Sequence, residues 1–480
     1  MHAVVTRGEP VRPRAPASAA SPGPGVPPSG ESLASEIAQL IERFERALAA
    51  MGLGATHAEV ERWAVLIHRS MNLGRRKFHT TAHVLAVTRD LPALPTLAGL
   101  FHDLVYVQVD DGFPIQVAGR LSELARQVQG GWELTPEVGR GLPSLVAEIF
   151  GVSPGQVLGP FTGLNELLSA CVAVEALGGT LAPADLARVA ASIEATVPFR
   201  GPDERGRDPF ERLEERLGAV VRSRGLELER RDVEHCIDEA LQLANADVVN
   251  FADSDPGRFL TNTWTLLPET NRSLIGFGVY SVIEYRQSLQ RMASFLHQID
   301  PAVIFHRRGA RPAAAEFARM VEQARYNVDI ARRYLGVKLY AIALVEAFAR
   351  LTGGDAPIAL FLGDVPAEGV AIRRAEDLLP ERPATTTAAT DAVLLALLQV
   401  GRASPSHFDM QNSPLSSYLY RALGERRIEA GIERSHAMFE GRTGARELLD
   451  TLEPEMRADL GRAFAAMVPT RRAALLELAG

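Results

Sequence analysis

Cysteine is nearly absent from this chain: 480 residues hold only Cys171 and Cys236. Two cysteines cannot build a disulfide framework or a cysteine-based zinc site, and a reducing, intracellular setting fits. Nowhere does the sequence reach the roughly 18 consecutive apolar residues of a membrane-spanning helix. The first thirty residues also lack the apolar core of a secretory signal. A cytoplasmic location with no membrane partner is therefore expected. No glycine-rich phosphate loop, internal repeat or heptad run occurs. The net charge of -8 lacks the basic excess of a general nucleic-acid binder, although it leaves room for a local basic pocket that takes a phosphate. Oligomeric state cannot be read from the sequence.

What is present is helical periodicity. Residues 1–30, rich in Pro, Ala, Ser and Arg, read as a disordered tail. Beyond them, apolar residues recur at helical spacing (Ile37, Leu40, Ile41, Phe44, Leu48) and the pattern persists to the end of the chain. Thr56 and Glu59 have the spacing of a capping box. Further helices are expected near 77–90, 94–107, 136–149, 164–177, 183–195, 208–223 and 231–252, with Gly, Pro and Asp clusters between them. No strand alternation is evident in this half. The stretch 356–364 fits either a buried strand or a tight helix. The chain is too long for one ordinary domain. The expected fold class is all-α: a helical bundle over 31–309, with an insertion at about 110–163, then a mainly helical region over 310–480 of unassigned role.

Within this apolar background, a few segments place histidine and aspartate where leucine is the norm. From Leu97 to Val107 the only strongly polar side chains are His102 and Asp103. Burying a carboxylate there is costly unless a cation meets it. The alternative to a metal is a buried ion pair made by the two residues themselves or with a neighbour. His79 and His83, four apart, share one helix face, which fits either ligands or a satisfied histidine pair. Asp247 falls inside the apolar stripe Val233, Ile237, Ala240, Ala244 and Val248. Histidine nitrogens and carboxylate oxygens together suit first-row transition ions (Mn, Fe, Zn), with Mg at an oxygen-rich position. Such an ion lowers the pKa of bound water and supplies hydroxide near neutral pH.

These segments resemble the HD superfamily of metal-dependent phosphohydrolases, in particular its small bacterial members and, more distantly, cyclic-nucleotide phosphodiesterases. Five motifs occur in order over roughly 60–290: Arg76-Lys77-Phe78-His79 with His83; Phe101-His102-Asp103-Leu104-Val105-Tyr106; Asn165-Glu166-Leu167-Leu168-Ser169-Ala170; Ala195-Thr196; and Asn245-Ala246-Asp247-Val248. The resemblance implies that His83, His102, Asp103 and Asp247 ligate a divalent metal ion. It implies that His79 is the general acid, a role suited to histidine as a residue type, and that Glu166 is a supporting or second-metal carboxylate. Arg76 would orient a carboxylate or phosphate, and Lys77 and Arg200 are further phosphate-binding candidates. The implied activity is hydrolysis of a phosphomonoester or phosphodiester, a nucleotide being one candidate. The alternatives are a di-iron oxygenase or a catalytically degenerate regulatory or scaffold module. Three positions depart from the pattern. Thr80 replaces an asparagine, Val197-Pro198-Phe199 stands where relatives often keep a histidine, and Tyr106 occupies another histidine position. The residues for a second ion are thus partly missing.

Overall fold

The computed structural model describes residues 30–275, 280–364, 372–381 and 390–480. The expected N-terminal tail and most of the expected loop at 380–387 lie outside them. Among the described residues the fold is all-α, with 21 α-helices and one small sheet. No helix among them is long and apolar enough to cross a membrane. Thr56 caps the helix His57–Met71 as its sequence predicts. Its Oγ1 accepts the Glu59 N–H at 3.3 Å, while the Glu59 carboxylate accepts the Thr56 N–H at 2.8 Å. The helix expected over 77–90 is shorter, Thr81–Val87, so it carries His83 but not His79, and the two histidines do not share a helix face.

The sheet lies in the insertion, where no strand alternation is evident in the sequence. Strands Ala125–Val128, Gly131–Leu134 and Val157–Leu158 pair antiparallel in chain order. Two of them are four residues long and one is two, too short for alternation to register. Gln129 and Gly130 make the hairpin turn, with Gly130 at φ 89° and Gly131, at φ 156°, opening the second strand. A Cβ on Gly131 would lie 2.5 Å from the Leu158 carbonyl oxygen. The stretch near 356–364 resolves as a short helix, Ile358–Leu362.

Buried apolar side chains form two clusters. The first runs from Leu40 to Ala244 and the second from Val248 to Leu478. The division therefore falls beside Asp247, and residues 248–309 pack with the C-terminal region. At the centre of the second cluster lies one 39-residue helix, Ala314–Thr352. Almost every side chain from Val337 to Ala349 is buried, as expected of a helix apolar all round. It buttresses the elements that meet the first cluster. Asn327 Nδ2 donates to the carbonyls of Phe251 and Asp253 at 2.9 and 2.8 Å. Arg332 donates to the carbonyls of Leu296 and Ile299 at 2.7 and 3.0 Å.

Candidate metal centre and its cavity

The helix Ala93–Phe101 stops short of the expected residue 107. His102 Nδ1 lies 2.7 Å from the Gly99 carbonyl, the acceptor that the Asp103 N–H would need to continue the helix. The carbonyls orphaned by this early stop are met by Arg76, whose Nη1 and Nη2 donate to the carbonyls of Asp103 and Leu104 at 2.6 and 2.9 Å. The same guanidinium holds the Asp110 carboxylate by Nε at 3.0 Å and Nη2 at 2.6 Å. The next turn is fixed from the helix Asn165–Leu177: Ser169 Oγ accepts the Val105 N–H at 3.0 Å and Asn165 Oδ1 the Val107 N–H at 3.1 Å. Three motif residues, Arg76, Asn165 and Ser169, with Asp110 holding the Arg76 guanidinium, thus fix the backbone on which His102 and Asp103 ride.

Asp247 ends the helix Arg230–Asp247. Two residues before it, the Asn245 side chain exchanges two 2.9 Å hydrogen bonds with the backbone of His306, which pins the helix end to the second half of the chain. The result is convergence. His83 Nε2 lies 3.0 Å from Asp247 Oδ1 and 3.4 Å from Asp103 Oδ2; His102 Nε2 lies 3.2 and 3.1 Å from the same two atoms. One donor atom from each of the four residues falls within 4.8 Å of all the others. The four expected ligands therefore form a cluster that could hold a metal ion. The contact from His102 Nδ1 to a carbonyl fixes that nitrogen as the protonated one and leaves Nε2 facing the cluster, the arrangement a metal-ligating histidine needs.

Without an ion, the cluster is two cations facing two anions. Burial disfavours the charged form of each. It is outweighed on His83 by the carboxylates of Asp103 and Asp247, which push its pKa up to about 9, and they hold His102 well above the ordinary histidine value too. Burial likewise works against the charge on Asp247, but His102 and His83 pull its pKa down to about 2; Asp103 is held well below the carboxylate range, chiefly by His102.

The cluster opens onto a cavity of about 900 Å³, which Asp103, Asp247, His79, Tyr106 and Glu166 also line. His79 precedes the helix that carries His83. Its ring stacks on Tyr106 at 4.0 Å between centroids, and its Nδ1 is 2.7 Å from Glu269 Oε2. The other Glu269 oxygen accepts the backbone N–H groups of Lys77, Phe78 and His79 at 2.6, 2.7 and 3.2 Å. Burial would raise the Glu269 pKa, yet His79 and these N–H groups hold it below the usual value. Glu269 was missed in the sequence. The signal was the one used for Asp247, an acid closing the apolar stretch Trp264-Thr265-Leu266-Leu267-Pro268 near a helix end.

Glu166 reaches the cavity wall with Oε2 bonded to no protein atom. Burial, reinforced by Asp103, pushes its pKa up to about 8, so it holds a proton at neutral pH in the absence of a nearby cation.

None of the three basic candidates lines the cavity. Arg76 orients a carboxylate as one of its two expected roles, but that carboxylate is Asp110 and its side chain is fully covered. Arg200 is turned inward, donating to the Glu194 carboxylate at 2.7 Å and to the carbonyls of Glu194 and Val197 at 2.8 and 3.1 Å. Lys77 is half-buried, and its contribution is the backbone N–H held by Glu269. Among the described residues, the insertion, expected as a lid or a specificity wall, gives the cavity only Pro160 and Gly163, near its end. Its body is tied to the first cluster by Arg120 with Glu175 at 2.6 Å and by Arg224 with Glu148 at 2.7 Å. No family model, curated protein or solved structure matches this chain.

Proposed function

We propose that this protein is a metal-dependent phosphohydrolase of the HD type, acting on a phosphomonoester or phosphodiester. One observation carries the reading: a buried cluster of two imidazoles and two carboxylates opens onto the same cavity as a third imidazole that is held rigidly by a buried acid. An ion held by His83, His102, Asp103 and Asp247 would lower the pKa of a bound water and offset charge on a phosphoryl oxygen. The chain's own groups supply the rest. With Nδ1 committed to Glu269, His79 has Nε2 free to pass a proton to the leaving oxygen. Stacking on Tyr106 prevents the ring from turning away. Glu166, neutral without a neighbouring cation, serves either as a hydrogen-bond donor to a phosphoryl oxygen or, once ionised, as a ligand for a second ion.

Metal analysis of the purified protein, followed by a phosphatase and phosphodiesterase substrate screen, tests this. Bound metal, turnover, and its loss in Asp103→Ala and Asp247→Ala with the fold intact are expected. A protein that binds no divalent ion, with variants indistinguishable from the parent, sinks the reading.

A further inference from the structure

The cavity is far larger than a phosphoryl group. At about 900 Å³ it sits near the upper end of small-molecule sites, and much of its wall takes no part in the steps above. Two surfaces make up that remainder. One is a strip of rings in which Phe199 packs edge-on between Phe251 at 5.6 Å and Phe295 at 6.0 Å. Phe199 has φ of 59°, and among the described residues only it and Asp111 adopt positive φ without being glycine. A bulky side chain keeps a left-handed backbone only where its surroundings over-determine it, a state that clusters at ligand sites. Here Arg200, gripping the carbonyl of Val197 and the side chain of Glu194, locks the turn that delivers the ring.

The other surface is the outer face of the helix Val282–Gln298. Gln287, Arg291, Ser294 and Gln298 recur every three or four residues along it and line the cavity, while Tyr285, Leu289, Met292 and Leu296 bury the opposite face. Among the described lining residues Arg291 alone carries a permanent positive charge. Its Nη1 donates to the Thr270 carbonyl at 2.7 Å, and among the described residues its other donors have no protein partner. Phe295 follows one turn later on the same face, so the strip of rings leads to the cation.

We infer that the leaving group of the substrate has a flat apolar part that lies on the Phe199 strip, and a second anionic group that binds Arg291. This rests on the phosphohydrolase reading. Arg76 and Arg200 cannot take the second anion, since both are spent inside the fold. The natural probes are phosphonates, whose C–P bond survives the enzyme. Calorimetry on the Mn²⁺-loaded full chain would compare methylphosphonate, benzylphosphonate and its 4-carboxy derivative, with a biphenyl-extended pair to vary the reach. Benzylphosphonate should bind more tightly than methylphosphonate. In at least one pair the carboxylate should improve binding tenfold or more. Arg291→Gln should abolish that preference and Arg291→Lys restore part of it; as a ratio within one variant, it is insensitive to partial unfolding. No gain from ring or carboxylate in the parent protein, or a preference that survives Arg291→Gln, overturns this inference alone. Failure of every phosphonate to bind the loaded protein overturns the phosphohydrolase reading with it.

Discussion

Filling the four-residue cluster with a divalent ion at pH 7 should release close to two protons. The count follows from the geometry. Each histidine presents Nε2 to both carboxylates, at 3.0 to 3.4 Å, and a ligating imidazole must give that nitrogen up to the ion in its neutral form. His83 has its pKa raised to about 9 and His102 is raised as well, so both are charged at pH 7. Asp247, lowered to about 2, and Asp103 are already ionised and release nothing. Two protons per ion means that log K rises by about two for each pH unit near pH 7, and that the slope drops by one as pH passes through about 9, where His83 loses its proton. Removing the His83 proton alone at pH 7 costs about 3 kcal/mol, two units at 1.36 kcal/mol each. Repeating the titration in buffers of different ionisation enthalpy gives the released protons directly from the slope of heat against buffer enthalpy. Tight binding with no proton release at pH 7 would refute the ion-pair description of the empty cluster, even if the site itself were real.

The same pairs set the stability of the metal-free protein. A histidine raised to about 9 contributes stability that is complete below its ordinary value of 6.5 and is lost as pH rises through 9; Asp247 contributes stability that is present above 3.8 and lost as pH falls through 2. Chelator-treated protein should therefore melt at lower temperature at pH 9 than at pH 6, and the metal-loaded form should show a smaller difference; equal melting points of the chelated protein at both pH values would contradict this. Glu269→Ala leaves three backbone N–H groups and His79 without their acceptor, at about 1–3 kcal/mol for each group left buried and unsatisfied, and denaturant titration should show a loss of several kcal/mol. The milder Glu269→Gln should lower kcat more for alkyl phosphates than for p-nitrophenyl phosphate, whose departing oxygen needs no proton; an equal loss on both would remove His79 as the acid. Glu166→Gln, which replaces a carboxyl whose pKa is pushed from 4.5 to about 8, should leave stability unchanged below pH 4.5, raise it increasingly as pH climbs from there to about 8 and hold that gain above, read from thermal melts; a loss at pH 6 would mean that the carboxyl is already ionised and bonded there.

Much of the site was legible because its chemistry is expensive. A carboxylate in the apolar segment around His102, or in the stripe that holds Asp247, has few affordable explanations, so residue type and helical phase pointed to His102, Asp103 and Asp247, whereas the choice of His83 over His79 as the fourth member rested on the family resemblance. The basic candidates show the opposite case. An arginine satisfies a phosphate, a carboxylate or a helix-end carbonyl equally well, and nothing in the order of residues says which it will meet. Arg76 meets two carbonyls and one carboxylate inside the fold, the carbonyls being free because the helix ends six residues before its expected limit. That early end was itself hidden, since it depends on the His102 ring competing for the Gly99 carbonyl. The role of Glu269 and the place of the Val282–Gln298 helix on the cavity wall were out of reach for a related reason: both lie beyond the last segment that forms the cluster, and only packing brings them back to it.

This return path gives the C-terminal region a physical role. Asp247 is the last residue of a helix whose apolar face belongs to the first cluster, while the next residue, Val248, belongs to the second. The acid that positions His79, the ring strip and the Arg291 face all come from residues after Asp247 or are packed against them. Those elements are in turn fixed by Asn327 and Arg332 of the long helix. A protein cut after Asp247 would keep the four ligands but lose the acid's partner and one whole wall. Asn327→Leu in the full chain is the finer probe. It removes both hydrogen bonds to the backbone at Phe251 and Asp253, more than 70 residues away in sequence, without touching a ligand. If the long helix acts by holding that wall, the variant should bind metal with the parent's stoichiometry and proton release, while its KM for a phosphoester rises several-fold. Loss of metal with unchanged KM would show that the C-terminal region serves the cluster instead.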